Sequence, residues 1–83
     1  KLAWAQQHLA RAPVEVNAAS RDQLLRVPGI GPIAADNLLR ARRLGRLREL
    51  SDLRKLGIVA QHAAPFVLLD GYRPPQQLPL WPA

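Results

Sequence analysis

The sequence contains no cysteine and no methionine. Without cysteine, no disulfide and no thiolate metal site can staple the fold, and this chain cannot ligate an iron–sulfur cluster. The absence of cysteine is compatible with a reducing compartment, and a cytoplasmic location is expected. No apolar run reaches the ~18 residues of a membrane-spanning helix. Lys1 is followed by an amphipathic stretch, which does not read as a secretory signal. Because the sequence starts at Lys1 and lacks methionine throughout, it is expected to be a piece of a longer protein.

At 83 residues the chain is one small domain. Such a domain buries only about 60% of its unfolded surface, so its own apolar packing must suffice. Acidic residues are scarce: six face twelve basic ones, giving a net charge of +6, and ten of the twelve are arginine. A basic excess of this size favours a polyanionic partner, nucleic acid ahead of a membrane surface. The arginine fork suits phosphate. The plain alternative is that arginine and alanine richness reflects genome composition.

The spacing of Leu2, Ala5 and Leu9, with Trp4 and His8 beside them, predicts a helix over Lys1–Arg11 that Pro13 ends. Pro13 to Asn17 alternates apolar and polar residues and reads as a short extended segment. Ser20 with Gln23 fits a capping box, opening a helix over Arg21–Val27 that buries Leu24, Leu25 and Val27. Asn17 is a second candidate for capping or tying down that turn.

Val27-Pro28-Gly29-Ile30-Gly31-Pro32 follows. Two glycines around one isoleucine predict a tight hairpin between two helices. Pro32 suits the first position of the next helix, expected over Pro32–Arg43 with Ala35, Leu38 and Leu39 inward. Backbone N–H groups at a helix start attract anions. Gly45 is expected to end that helix, and Ser51 to open another over Ser51–Leu56.

Leu56-Gly57-Ile58-Val59 then repeats the hairpin pattern about 28 residues on, with Val59 in place of the second glycine. Ala60, Ala63 and Ala64 mark a further helix, which Pro65 cuts short. A repeat predicts two packed, pseudo-symmetric units. Phe66 to Asp70 reads as an extended segment that returns beside Pro13–Asn17. The tail from Arg73 carries four prolines and cannot be helical.

Asn17-Ala18-Ala19-Ser20, Leu24-Leu25, Val27-Pro28-Gly29-Ile30-Gly31, Ala35, Leu38 and Ala41-Arg42 resemble the helix-hairpin-helix family of DNA-binding modules. Arg46-Leu47-Arg48, Ser51-Asp52-Leu53 and Leu56-Gly57-Ile58 resemble its second half. The resemblance spans Val16 to Ala64. It implies an all-α fold: a small tandem helix-hairpin-helix with short extended segments at 13–17 and 66–70. The parts are then an N-terminal helix at 1–12, the tandem domain at 13–71 and a proline-rich tail at 72–83. Lys-Leu-Ala-Trp-Ala, Pro-Val-Glu-Val-Asn and Pro-Phe-Val-Leu-Leu also resemble the C-terminal region of DNA repair or modification proteins of the radical SAM class.

What the resemblance implies is sequence-independent binding of DNA phosphates by hairpin amides. The donors carried over are Gly29, Gly31, Ile33 and Ala34, with Ile30 in the turn between them. It also implies a monovalent cation, sodium or potassium, on the carbonyls of Leu25, Val27 and Ile30. The chemistry of the side chains adds Arg26 before the turn and Arg40, Arg42, Arg43, Arg46 and Arg48 after it. The plain alternative for those arginines is a solvated helix face. Upstream domains of a parent protein are expected partners, and a membrane is not.

An enzyme is not expected. Lys1 and Lys55 are the only lysines, no carboxylate constellation surrounds either, and the chain is too short to enclose a flipped base. Two other readings keep the fold: a protein-interaction scaffold whose phosphate site is idle, and a competence-type DNA-uptake receptor domain.

Overall fold

The computed structural model describes residues 1–9 and 11–74. The proline-rich tail, with Leu80 and Trp81, lies outside the described residues apart from its first positions. The architecture is all-α. Five short helices, α1 (Leu2–His8), α2 (Arg21–Leu25), α3 (Pro32–Ala41), α4 (Leu50–Arg54) and α5 (Ala60–Ala63), surround one apolar core. Two two-residue strands, β1 (Val14–Glu15) and β2 (Val67–Leu68), pair in parallel with Val14 opposite Val67. The extended segments expected at 13–17 and 66–70 are thus present, shorter than expected and joined to each other.

The capping box at α2 forms as its sequence predicts. Gln23 N–H donates to Ser20 Oγ at 3.2 Å, and Ser20 N–H to Gln23 Oε1 at 2.9 Å. Leu24, Val27, Ile30, Leu38 and Leu53 are fully buried, whereas Leu25 and Leu39 are only partly covered. Burial of the apolar positions on α2 and α3 joins them into one hairpin, and α4 with α5 forms the second. Gly29 and Gly57 take the same left-handed conformation, each with φ +90°. Each is followed by a buried isoleucine, Ile30 and Ile58.

Several helix limits differ from the sequence expectation. α1 stops at His8 rather than Arg11: the Leu9 N–H closes on the Ala5 carbonyl, and the chain then turns into β1. Proline restricts the residue before it to extended backbone, so the turn must be complete ahead of Pro13. α1 also buries a narrower stripe, Ala5 and Leu9, and leaves Leu2 exposed. α3 ends at Ala41, and Gly45 is not its left-handed cap, since only Gly29, Gly57 and Gly71 have positive φ among glycines. α4 is opened by Glu49, not Ser51.

The polar ties are long-range. Asn17 Oδ1 accepts from the Leu47 N–H at 2.7 Å, and Asn17 Nδ2 donates to the Leu47 carbonyl at 2.9 Å. Glu15 fastens the strand pair to the tight turn after it, accepting from the N–H groups of Asn17, Asp70 and Gly71. Burial pushes the Glu15 carboxyl up, but these bonds outweigh it and hold the group below the usual glutamate range. No helix among the described residues is long and apolar enough to cross a membrane.

Candidate nucleic-acid interface

The start of α3 differs from the starts of α2 and α4. α2 begins under the Ser20 hydroxyl, and α4 begins under Asp52 Oδ2, which accepts from the Arg48 and Glu49 amides at 3.1 Å each. α3 begins at Gly31 with no side-chain cap and no acidic residue in its first turn. Pro32 has no N–H to offer. The N–H groups of Gly31, Ile33 and Ala34 have no acceptor among the described residues, and neither does that of Gly29. A ten-residue helix adds its positive dipole end at the same place.

The two glycines of this turn do different things. A side chain at Gly31 would meet nothing within 4 Å, and its φ of −98° is open to any residue. Pro32 and Ile33 beside it are exposed, Ile33 by 78%. The approach to the free amides is therefore clear. Gly29 faces the protein. A Cβ there would stand 2.6 Å from the Val59 carbonyl oxygen, and the Val59 N–H donates to the Gly29 carbonyl at 3.0 Å.

In the second hairpin the donors corresponding to Gly29, Gly31 and Ala34 have partners: Gly57 N–H reaches the Arg54 carbonyl, Val59 N–H reaches the Gly29 carbonyl, and His62 N–H reaches the Val59 carbonyl. A sequence model of the helix-hairpin-helix motif matches residues 10–63, more than half of the chain. The chain belongs to the helix-hairpin-helix family. Its motif is associated in general with nucleic-acid binding. No curated protein and no solved structure matches the chain.

Within this helix-hairpin-helix domain the expected arginines are dispersed. Arg42 turns inward, and its Nη1 donates to the carbonyls of Val16 (3.1 Å) and Ala19 (2.7 Å), clamping the segment before α2. It is a structural residue. Arg46 and Arg48 lean to Asp70 at 2.8 and 3.8 Å, beyond the end of β2, and both remain mostly exposed. Arg40 bonds Asn37, and Arg43 is exposed without a protein partner among the described residues. Ile30 anchors the turn from inside: its side chain is buried and its N–H reaches the Val27 carbonyl.

Two of the three carbonyls expected to hold a cation accept hydrogen bonds within the chain. The Lys1 ammonium donates to the Ile30 carbonyl at 2.6 Å, and the Val27 carbonyl accepts from Ile30. Partial burial lowers the Lys1 pKa below the ordinary lysine range. Sequence reasoning missed Lys1 as a neighbour of the hairpin, and it treated Trp4 only as a stripe residue. Trp4 stacks on His8 with ring centroids 4.6 Å apart, and the Arg26 guanidinium lies over the indole at 5.3 Å. The signal was a basic and an aromatic residue three apart on one helix face.

Proposed function

We propose that this chain is a non-sequence-specific DNA-binding module. Backbone phosphate is held by the N–H groups of Gly31, Ile33 and Ala34, with Gly29 behind them. Arg26, Arg40 and Arg43 supply positive charge, and Arg46 and Arg48 join when they exchange Asp70 for phosphate. The observation that carries this reading is an uncapped helix start with clear space at Gly31. Amides and arginines bind the phosphate backbone, which fixes position without reading bases. The chain itself is read as a binding part and not a catalyst.

Fluorescence anisotropy with unrelated duplexes tests this. Equal affinities are expected, falling with salt at a log–log slope of about −0.9 per phosphate neutralised. Affinity that ignores salt, or no binding at roughly 100 µM, contradicts it. A sodium or potassium ion at the Leu25, Val27 and Ile30 carbonyls enters the proposal only as a competitor of Lys1. Lys1→Ala is therefore expected to tighten potassium binding, and equal potassium titrations of variant and wild type remove the ion from the account.

We also propose, on the resemblance of the Lys1–Ala5, Pro13–Asn17 and Pro65–Leu69 blocks, that the parent is a cytoplasmic DNA repair or modification protein of the radical SAM class. Its upstream domains would then carry the catalysis. Sequence upstream of Lys1 is expected to hold a three-cysteine cluster motif, and an upstream region without one removes that assignment.

A further inference from the structure

The hairpin is not the only basic feature that the domain turns to solvent. Lys1 is the N-cap of α1, and Trp4 follows it three residues on in the first turn. Lys1 reaches the Ile30 carbonyl, one residue before the open Gly31 amide. Trp4 reaches Arg26, which caps the C-terminus of α2 three residues before Gly29. These two contacts tie α1 to the hairpin turn. Lys1, Trp4, Leu25 and Arg26 together line a groove of about 290 Å³.

The composition of that groove is specific. Its apolar surface is an indole, 37% exposed, and a half-buried leucine. Its charged groups are two cations, and no carboxylate lines it. A flat apolar face between two cations fits an aromatic ring carried on an anionic backbone. A duplex cannot offer one, because its bases are stacked on each other. A single strand can, and base–aromatic stacking is how sequence-tolerant single-strand binders gain affinity. Arginine planes extend such stacks.

We propose that this groove binds an unpaired base of a nucleic-acid strand whose adjoining phosphate sits on the Gly31 hairpin. Trp4 becomes the stacking surface when the Arg26 guanidinium, which lies over its ring at 5.3 Å, turns from the indole to the strand's phosphate, and Lys1 flanks the strand. The domain then prefers single-stranded or locally opened DNA to intact duplex. This inference rests on the phosphate-binding reading of the hairpin and adds the form of DNA to it. Trp4 is already held in place, because His8 stacks on it and orders the indole before any strand arrives.

The test uses the full chain with Trp81→Phe, which makes Trp4 the sole tryptophan. Thymidine homopolymer is titrated against a duplex of equal length while indole fluorescence and anisotropy are followed. The single strand is expected to quench Trp4 and the duplex to quench it far less. Trp4→Ala is expected to lower single-strand affinity about tenfold or more while duplex affinity stays near wild type. Trp4→Phe, which keeps an aromatic face, retains most of the single-strand affinity, and circular dichroism checks the fold of each variant.

Equal affinity for both forms, unchanged by Trp4→Ala, overturns the inference and leaves the hairpin reading standing. Quenching of the same size by duplex overturns it likewise. Failure to bind either form overturns both. If Trp4→Ala unfolds, Trp4→Leu replaces it, which keeps apolar bulk without an aromatic face, with selective loss of single-strand binding as the expected result and unchanged single-strand binding as the contrary one.

Discussion

The Val59 N–H donates to the Gly29 carbonyl at 3.0 Å, joining the two hairpins backbone to backbone. This bond fixes the division of labour in the domain. The second hairpin uses the Val59 amide to pack against the first. The first keeps its own amides toward solvent.

Gly29 and Gly57 share a φ of +90°, but only Gly29 has a neighbour in the way. Gly57→Ala is expected to cost about 1 kcal/mol, the penalty of a left-handed alanine. Gly29→Ala adds a collision with the Val59 carbonyl and is expected to cost at least ~2 kcal/mol more. Urea unfolding of both variants checks the order, and equal losses would contradict the packing of the two hairpins described above.

Glu15 makes stability depend on acid. Its carboxyl is held below the usual glutamate range in the folded state, so its contribution is fully present above that range. The contribution is lost as pH falls through the lowered folded value. Glu15→Gln should therefore be less stable at neutral pH, by about 1–3 kcal/mol, and lose less on acidification to about pH 3. Parallel stability curves for the two proteins would contradict this role.

Arg42 and Arg43 are adjacent but are expected to separate cleanly. Arg42→Ala leaves the Val16 and Ala19 carbonyls without their charged donor, at an expected cost of about 1–3 kcal/mol in folding. Arg43→Ala should leave the melting temperature unchanged and reduce the salt slope of DNA binding by about 0.9. The reverse pattern would mean that the arginines have been assigned the wrong way round.

The sequence showed those parts of the fold that are built from near neighbours. Ser20 and Gln23 are three residues apart and announce their cap. The two Gly-Ile steps announce the repeat. The strand pairing was legible as an alternating stretch at Pro13–Asn17 and an apolar one at Phe66–Asp70. What stayed hidden depends on partners far along the chain. Nothing near Arg42 marks it as a clamp, because its acceptors lie on the other side of α2 and α3. Asp70 draws Arg46 and Arg48 out of what reads as one basic run. Asn17 meets Leu47 across thirty residues. The different duties of Gly29 and Gly31 are equally invisible in sequence, since only the second hairpin's position distinguishes them.

The central claim is that Gly31 is small so that phosphate can reach the amides behind it. Gly31→Leu places a side chain where nothing in the protein stands, in a backbone conformation that leucine adopts readily. Paired measurements of thermal unfolding and DNA anisotropy on this variant test the claim most directly. A melting temperature within a few degrees of wild type and a loss of DNA affinity of about tenfold or more are expected. A folded Gly31→Leu protein that binds DNA as tightly as wild type would contradict it.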